Sequence, residues 1–353
     1  MIRSRALNAM CVVATTLLIV AVDAHADSSE RSEVTLASTC SGCFTELPLP
    51  RQGSRPYAPV VAADGTIWVT EKGSACDQST GNAVVHIDDT GEMIEYPVRY
   101  PSAMTVGPDT ALWFGEQVSN KIGRLDLDGT LTEYAVPTGG MLKFPDCSFD
   151  SSSPAEGGIV VGPDSSVWFT ETVGNNVARL ACDGSIKEYP VPTTGSGPLG
   201  LTVGPDGALW FIERLAGKVG RMTLDGTMTE YPMADPKSVP NRIVTGPDGA
   251  LWFTEFVGEK VGRITTDGIM TEFSTPGVGP VGIAAGIDGG LWIAGFNSNE
   301  IVRVSVEGSI TNRYAVPTEN SQVLQVVAAP DGSIWFTEVA GNRVGRLQIG
   351  MPS

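Results

Sequence analysis

A segment that recurs seven times along the chain constrains the fold more than any other feature of the sequence. Its copies read GTIWVTE, TALWFGE, SSVWFTE, GALWFIE, GALWFTE, GGLWIAG and GSIWFTE. They contain all seven tryptophans, which are Trp68, Trp113, Trp168, Trp210, Trp252, Trp292 and Trp335. Successive tryptophans lie 45, 55, 42, 42, 40 and 43 residues apart. Self-similarity at such a period is typical of solenoids, propellers and other repeat architectures.

One complete copy, residues 198–232, indicates that each unit consists of four short strands. It reads PLGLTVGPDGALWFIERLAGKVGRMTLDGTMTEYP. Asp-Gly between short β-prone segments is a strong hairpin signal, because glycine accepts the positive φ that such turns need. The pattern therefore predicts an all-β, seven-bladed β-propeller with four-stranded antiparallel blades. A β-sandwich, the alternative all-β architecture, would not repeat one tryptophan seven times.

The last copy lacks its fourth strand, because the chain ends soon after NRVGRLQIG. The missing segment lies near the other terminus, where FTELPLP (44–50) matches TEYAVP, KEYPVP and TEYPMA. We therefore expect a strand from about residue 43 to 49 to close the seventh blade, which would remove an exposed sheet edge. This predicts a short segment over residues 27–42, followed by one propeller domain over 43–350.

The first 26 residues have the pattern of a secretory signal peptide. Arg3 and Arg5 precede the apolar stretch CVVATTLLIV, and the small-residue motif AHA ends at Ala26. The apolar stretch is too short to span a bilayer comfortably, and no later segment is long and apolar enough. The sequence thus predicts cleavage near Ala26 and export to the periplasm or the extracellular space.

Charge excludes some partners. The net charge of the chain is −17, and removal of residues 1–26, with two Arg and one Asp, makes it −18. Such a surface repels phosphate backbones and anionic lipids, so nucleic-acid and membrane-surface binding are disfavoured. We expect a monomer whose partner is a small molecule, peptide or protein at one face of the propeller.

The motif CSGC raises the question of redox or metal chemistry. The exported part would contain Cys40, Cys43, Cys76, Cys147 and Cys182. Export favours disulfides over reactive thiols, and neither a second cysteine pair nor a histidine cluster offers a zinc site. A thioredoxin-like pair would open a helix, whereas this motif precedes a strand. We predict a Cys40–Cys43 disulfide and, as a second pairing, Cys76–Cys147, which leaves Cys182 over.

Two charged residue types recur in register with the tryptophans. The glutamates are Glu71, Glu116, Glu171, Glu213, Glu255 and Glu338. The arginines of the third strand are Arg124, Arg179, Arg221, Arg263, Arg303 and Arg346. We expect structural Glu–Arg pairs, with a ring of carboxylates around a cation as the alternative. Gly295 and His86 interrupt the two series, and the Asp of each PDG motif is predicted to form the turn.

The first strand of each propeller blade lines the central channel, so we expect the residue after the blade-opening proline to lie at the channel mouth. Around the ring it is Tyr57, Ser102, Gly157, Leu199, Asn241, Val281 and Leu324, with Arg242, Gln322 and Gln325 nearby. The polar members Tyr57, Ser102, Asn241, Arg242, Gln322 and Gln325 are candidates for ligand binding. The enlarged connection over residues 138–158 is either a lid over this mouth or a floppy insertion.

The repeat consensus GPDGALWFTE…GNKVGRLTxDGxxTEYPVPT resembles that of the streptogramin B lyase (virginiamycin B lyase) family. The resemblance covers the chain after the signal peptide and implies a seven-bladed propeller. The lyases of that family open a cyclic depsipeptide antibiotic by elimination across its ester. They carry a histidine at the mouth position of each of the last two blades, with nearby glutamates and a magnesium ion.

The resemblance places those two histidine positions at Val281 and Leu324, and an acidic position at Gln322. Tyr57 matches a mouth tyrosine of the lyases, and Glu338 lies near a metal-associated glutamate, which makes these two weak catalytic candidates. The elimination needs a proton-transfer group whose pKa lies near the working pH. The only histidine after the predicted signal peptide is His86, which we expect on a third strand away from the mouth.

The sequence therefore predicts an exported propeller that binds a ligand at its mouth. The first alternative, which the resemblance implies, is a magnesium-dependent carbon–oxygen lyase with altered catalytic groups. A weaker alternative is a calcium-dependent lactonase-like hydrolase, which needs converging Glu, Asn and Asp side chains. Asn241 is its only support.

Overall fold

The computed structural model describes residues 43–73, 82–117, 119–138 and 157–349. These residues form 28 strands in seven four-stranded antiparallel sheets, which confirms the predicted propeller. Within these ranges, no helix is long and apolar enough to cross a membrane.

The first four blades follow one another along the chain. Blade one consists of β2 (Pro56–Val61), β3 (Ile67–Lys72), β4 (Asn82–Ile87) and β5 (Met93–Pro97). Blade two consists of β6 (Pro101–Val106), β7 (Leu112–Glu116), β8 (Lys121–Leu125) and β9 (Leu131–Ala135). Blade three consists of β10 (Ile159–Val161), β11 (Val167–Glu171), β12 (Asn176–Leu180) and β13 (Ile186–Pro190). Blade four consists of β14 (Pro198–Val203), β15 (Leu209–Glu213), β16 (Lys218–Met222) and β17 (Met228–Pro232).

The last three blades complete the ring. Blade five consists of β18 (Pro240–Thr245), β19 (Leu251–Glu255), β20 (Lys260–Ile264) and β21 (Met270–Ser274). Blade six consists of β22 (Pro280–Ala285), β23 (Leu291–Gly295), β24 (Glu300–Val304) and β25 (Ile310–Ala315). Blade seven consists of β26 (Val323–Ala328), β27 (Ile334–Glu338), β28 (Arg343–Leu347) and β1 (Phe44–Pro48).

The N-terminal strand closes the ring, as predicted. Strand β1 pairs antiparallel with β28, with Phe44 opposite Leu347 and Pro48 opposite Arg343. Leu49, just after β1, is buried against blade one. The two ends of the described chain therefore share one sheet, and the outer edge of β28 is covered.

Aromatic side chains of the repeat form the core between blades. Trp168 and Phe211 are buried in one cluster, so the tryptophan of blade three packs against the phenylalanine of blade four. Equivalent clusters join the other blades. Because neighbouring strand residues point to opposite faces, each Trp-Phe dipeptide sends one ring to each adjacent blade.

The aspartate of each PDG motif forms the turn, as predicted, and also binds two other side chains. In blade four, Asp206 Oδ1 accepts hydrogen bonds from the N–H of Ala208 at 3.2 Å and from Trp210 Nε1 at 3.1 Å. Asp206 Oδ2 accepts from Arg221 Nε at 2.7 Å. The same Trp–Asp–Arg arrangement recurs in blades two, three, five and six.

The predicted Glu–Arg pairs are therefore wrong, because the arginines pair with the turn aspartates. Arg221 lies directly opposite Trp210, whereas Glu213 is three residues further along the same strand. An odd offset puts two strand residues on opposite faces of the sheet, so Glu213 faces away from Arg221.

Several predictions fall outside the described residues. These are the signal peptide, the pairings of Cys40, Cys76 and Cys147, and most of the 138–158 connection. Cys43 is buried beside the first strand. Cys182, which the sequence leaves over, is free and exposed.

Candidate functional site

The channel mouth is built from the beginnings of the inner strands and the ends of the second strands. In blade four, Pro198 at the start of β14 lies opposite Glu213 at the end of β15. The same pairing recurs in other blades, for example between Pro56 and Glu71. The predicted mouth positions and the recurrent glutamates therefore lie at the same end of the blades.

Three of the predicted mouth residues meet although they come from three different blades. Gln325, with its amide oxygen facing Arg242, accepts hydrogen bonds from Arg242 Nε at 2.8 Å and Nη2 at 3.0 Å. The guanidinium carbon of Arg242 lies 5.5 Å from the ring centroid of Tyr57. Blade five is not adjacent to blade one or blade seven, so the Arg242 side chain extends across the channel. Burial lowers the pKa of Arg242 to about 10, which leaves its guanidinium charged at neutral pH.

A fourth member of this group was not predicted from the sequence. Lys72, at the end of β3, is buried, and its Nζ lies 3.7 Å from the ring centroid of Tyr57. We call Tyr57, Lys72, Arg242 and Gln325 the mouth cluster. Alignment of the repeats could have found Lys72, because it follows the recurrent glutamate, where blades two to seven carry Gln, Thr, Arg, Phe, Phe and Val.

Tyr57 has an unusual environment within the mouth cluster. Its side chain is only 1% exposed, and its hydroxyl group has no hydrogen-bond partner among the described residues. A buried hydroxyl without a partner costs about 1–3 kcal/mol. The positive charges of Lys72 and Arg242 near the ring give a stabilising cation–π contribution. The cluster is therefore positively charged, in contrast to the acidic chain as a whole.

The other candidates have local environments of their own. Ser102 Oγ donates to the carbonyl oxygen of Gly115 at 3.1 Å, which is a contact within blade two. Asn241 is buried, and no hydrogen bond joins it to the cluster in the described part of the chain. Gln322 has a left-handed backbone conformation with φ of 56° at the beginning of blade seven. Glu338 is fully buried within blade seven beside Glu46.

The recurrent glutamates are buried, and each lies near a more exposed glutamate of the same blade. Each has a second glutamate of the fourth strand near it, and the pairs are 71/95, 116/133, 171/188, 213/230, 255/272 and 338/46. Burial, reinforced by the charge of the second glutamate, raises the pKa of Glu213 to about 7. Burial also raises the pKa of Glu116 to about 6. Lys218 and Ser196, which lower the pKa of Glu213, only partly offset this rise.

Blade six shows what accompanies the loss of the buried glutamate. Gly295 stands in its place, and the fourth strand carries Arg313, which pairs with Glu300 at 2.8 Å. In blade four the charges are reversed, since Lys218 pairs with Glu230 at 2.8 Å. Each pair of oppositely charged side chains therefore belongs to a single blade.

The mouth does not fit a magnesium ion. Mg²⁺ prefers carboxylate and other hard oxygen ligands in octahedral geometry. The mouth cluster offers two cations instead, and the positions that the resemblance assigns to histidines and an acid are Val281, Leu324 and Gln322. Among the residues that the structure describes, no group of three or more His, Cys, Asp or Glu side chains could hold a metal.

The single histidine of the described residues lies away from the mouth cluster. His86, on β4, stacks on Trp68 with ring centroids 4.3 Å apart. It lies opposite Trp68 in the register, where the other blades carry the arginine that binds the turn aspartate. His86 therefore takes a structural position of the repeat, as the sequence predicts, and cannot transfer protons at the mouth.

Comparison with known sequences identifies close relatives. The Virginiamycin B lyase family model matches residues 28–143 and 143–351. The virginiamycin B lyase of Nocardia farcinica (strain IFM 10152) is 34% identical over 151 residues. That alignment spans 43% of this chain and 45% of the relative, so the chain matches about half the length of this curated protein.

Comparison with solved structures covers most of the propeller. A streptogramin B lyase structure is 33% identical, with a TM-score of 0.77 over 87% of this chain and 97% of that chain. A catalytically inactive histidine-to-alanine variant of virginiamycin B lyase from Staphylococcus aureus, crystallised with quinupristin, is 34% identical. Its TM-score is 0.76, and the alignment covers 87% of this chain and 99% of that chain.

Proposed function

The chain belongs to the virginiamycin B lyase family, and from this premise we propose that it binds a ligand at its channel mouth without catalysing the ester elimination of the lyases. The resemblance supports the place of binding. The replacement of both mouth histidines by Val281 and Leu324 supports the loss of elimination, because valine and leucine side chains cannot transfer a proton.

The observation that carries this proposal is the hydroxyl group of Tyr57. It is buried at the mouth without a hydrogen-bond partner among the described residues, and Lys72 and Arg242 lie near its ring. A ligand with an acceptor oxygen would accept a hydrogen bond from this hydroxyl and would be attracted by the two cations. We therefore propose a small molecule or peptide that carries a carboxylate or another oxygen-rich group.

A reaction test separates binding from catalysis. The protein is incubated at high concentration with quinupristin, with and without MgCl₂, and ring-opened product is followed by liquid chromatography. We expect no product, whereas an active virginiamycin B lyase in the same buffer should open the ring. Magnesium-dependent ring opening would contradict the proposal and support the alternative of a lyase with altered catalytic groups.

A binding test examines the mouth cluster. Isothermal titration with N-acetyl-phenylalanine and N-acetyl-phenylalaninamide compares a carboxylate with a neutral ligand of the same shape. We expect the carboxylate to bind more tightly, and Arg242→Gln to weaken it by at least about tenfold, or about 1.4 kcal/mol. Lys218→Gln is the matched control, because Lys218 pairs with Glu230 outside the cluster. Equal affinity of wild type and Arg242→Gln would count against the proposal.

We also propose that residues 1–26 are removed on export and that residues 27–42 precede a monomeric propeller over 43–350. The basic start, apolar stretch and AHA motif support this. Cys40 and Cys43 are proposed to form a disulfide in that oxidising environment. N-terminal sequencing of the secreted protein should begin at Asp27, and non-reducing peptide mapping should recover the linked pair.

A further inference from the structure

The joint between blade seven and blade one differs from the other joints of the propeller. In blades one to six, the tryptophan stacks on an aromatic residue of the fourth strand, with centroid distances of 5.5 to 5.9 Å. In blade seven the fourth strand is β1, and the equivalent residue is Leu47. Trp335 therefore has no aromatic partner on this strand and remains partly exposed.

Leu47, in place of an aromatic residue, leaves a wider gap between blades seven and one. In other joints the fourth-strand ring packs against a glycine of the next blade, and an added Cβ on Gly226 would lie 2.5 Å from Tyr189. The equivalent Cβ on Gly91 would lie 3.6 Å from Leu47. A cavity of about 440 Å³ opens here, lined by Leu47, Gly91 and Trp335 among others. Its volume falls within the range of about 300–1,000 Å³ that is typical of small-molecule sites.

This cavity, which we call the seam pocket, lies on the face opposite the channel mouth. It is bounded by the turns between the first and second strands of blades seven and one, and by the turn between the third and fourth strands of blade one. These turns are at the other end of the blades from the recurrent glutamates. The seam pocket is thus separate from the mouth cluster.

The lining of the seam pocket is acidic. Its charged residues are Asp64, Asp88, Asp89, Asp331 and Arg346. Arg346 pairs with Asp331 at 2.6 Å, which leaves a negative excess from the other three. Hydrogen bonds from Thr66 and Thr90 hold the pKa values of Asp64 and Asp88 below the usual range, so both are ionised at neutral pH.

The tryptophan of the seam pocket also differs in its polar contacts. In blades two to six the indole N–H donates to Oδ1 of the turn aspartate. In blade seven, Ser333 donates its N–H at 2.9 Å and its hydroxyl at 2.6 Å to Asp331 Oδ1 in place of the indole. Trp335 therefore contributes an exposed part of its ring to the cavity.

We propose that the seam pocket binds a small organic cation, with its ammonium group near Asp64 and Asp88 and its apolar body against Leu47 and Trp335. The carboxylates attract the charge, and the exposed part of the Trp335 ring and Leu47 offer an apolar surface to the body of the ligand. The guanidinium carbon of Arg346 lies 5.5 Å from the centroid of the Trp335 ring, so the ammonium group is assigned to the carboxylates and not to the indole. A bare metal ion would leave the apolar wall unused. The described residues also contain no cluster of metal ligands.

Benzyltrimethylammonium is the probe that tests this inference, and benzyl alcohol is its neutral counterpart. Isothermal titration at low salt should detect the cation, and raising the salt concentration should weaken it. Benzyl alcohol should bind at least about tenfold more weakly. Absence of binding by the cation, or equal affinity for the alcohol, would overturn the proposal.

Two variants test the location. Leu47→Tyr restores the residue type that most of the other blades carry, so it should fold and fill the pocket, and affinity should fall at least about tenfold. Asp88→Asn should weaken binding by removing charge, whereas Asp225→Asn, at a turn of blade four with a similar bond to Thr227, should not. Unchanged binding in Leu47→Tyr and Asp88→Asn would overturn the proposal. Tyr57→Phe should leave the affinity of the probe unchanged, which separates this site from the mouth.

Discussion

At the scale of single residues, the buried glutamates oppose folding whenever they are charged. Glu213 is fully buried, and its pKa of about 7 compares with an ordinary value of 4.5. The folded state therefore binds a proton more tightly than the unfolded state between these two values. The stability that this tighter proton binding by Glu213 contributes is fully present below about pH 4.5 and is lost as the pH rises through 7.

The substitution Glu213→Gln tests this interpretation. It keeps the shape of the side chain and removes the charge, so it should stabilise the protein at pH 8 by about 1–3 kcal/mol. At pH 5 the gain should be absent, because Glu213 is then protonated in the folded state. Urea unfolding at both pH values measures the difference.

Glu230→Gln is the control for this prediction. Glu230 pairs with Lys218 at 2.8 Å, and its pKa is lowered, with hydrogen bonds from Lys218 and Thr193 outweighing burial. Its substitution should destabilise the protein at pH 8. If both substitutions changed the free energy of unfolding equally at pH 8, burial of the charged Glu213 would not destabilise the protein.

At the scale of the blade, the second and third strands are matched in volume. Gly220 lies opposite Phe211, and an added Cβ on Gly220 would overlap the phenyl ring. Phe–Gly pairs recur in blades two, five and seven. Where the second-strand residue is smaller, the third strand carries valine, as in the pair Ile293–Val302 of blade six. In blades two, four, five and seven the ring therefore occupies the space of the missing side chain opposite it, whereas in blade three Ala178 lies opposite Phe169.

Gly220→Ala should consequently destabilise the protein by about 1–3 kcal/mol, because it overpacks a closed core. The double variant Gly220→Ala/Phe211→Ile should recover most of that loss, since the smaller side chain at position 211 leaves room for the added Cβ. A double-mutant cycle by urea unfolding measures the coupling, with Phe211→Ile alone as the required reference. Additive effects of the two substitutions would contradict the volume match.

At the scale of the whole molecule, the repeat allowed the ring to be predicted. Features that depart from the repeat could not be predicted in the same way. The tryptophan spacing, the two turns per unit and the match of FTELPLP to other fourth strands specify seven blades and their closure. The predicted Glu–Arg pairs are wrong because each glutamate is three residues from the tryptophan opposite the arginine. This odd offset puts the glutamate on the other face of the sheet. The meeting of Tyr57 with Arg242 was not predictable from the repeat, because a contact across the channel joins residues far apart in the sequence. Lys72 lies in the same blade as Tyr57, and it stands out only when the position after the recurrent glutamate is aligned across the repeats.

The carboxyl pairs also predict the pH dependence of the entire propeller. The pKa values of Glu71, Glu171, Glu255 and Glu338 are raised to about 7 by burial, as for Glu213. Each raised value means stability that is lost between about pH 4.5 and 7. The thermal midpoint should therefore be higher at pH 5 than at pH 8. A midpoint that rises steadily with pH over this range would contradict the assignment.

The closing strand determines whether the ring is one cooperative unit. Thr318 donates its N–H and its hydroxyl to the two carboxylate oxygens of Glu46, each at 2.9 Å, so β1 binds the connection that follows blade six as well as β28. Leu49 is 3% exposed, and burial of one leucine contributes about 1.5–3 kcal/mol. Removal of residues up to 50 should lower the urea midpoint and cause self-association through the bared edge of β28.

A circular permutant is the matched control for this truncation. It begins at Arg51 and carries residues 43–50 after Ile349, joined by an Asp-Gly turn like those of the other blades. Because β1 regains its place beside β28, the permutant should unfold near the wild-type midpoint and remain monomeric by size-exclusion chromatography. If the truncated chain had the wild-type urea midpoint and stayed monomeric, the N-terminal strand would be dispensable for closure. If the truncated chain and the permutant were both destabilised, chain connectivity rather than the strand itself would hold the ring together.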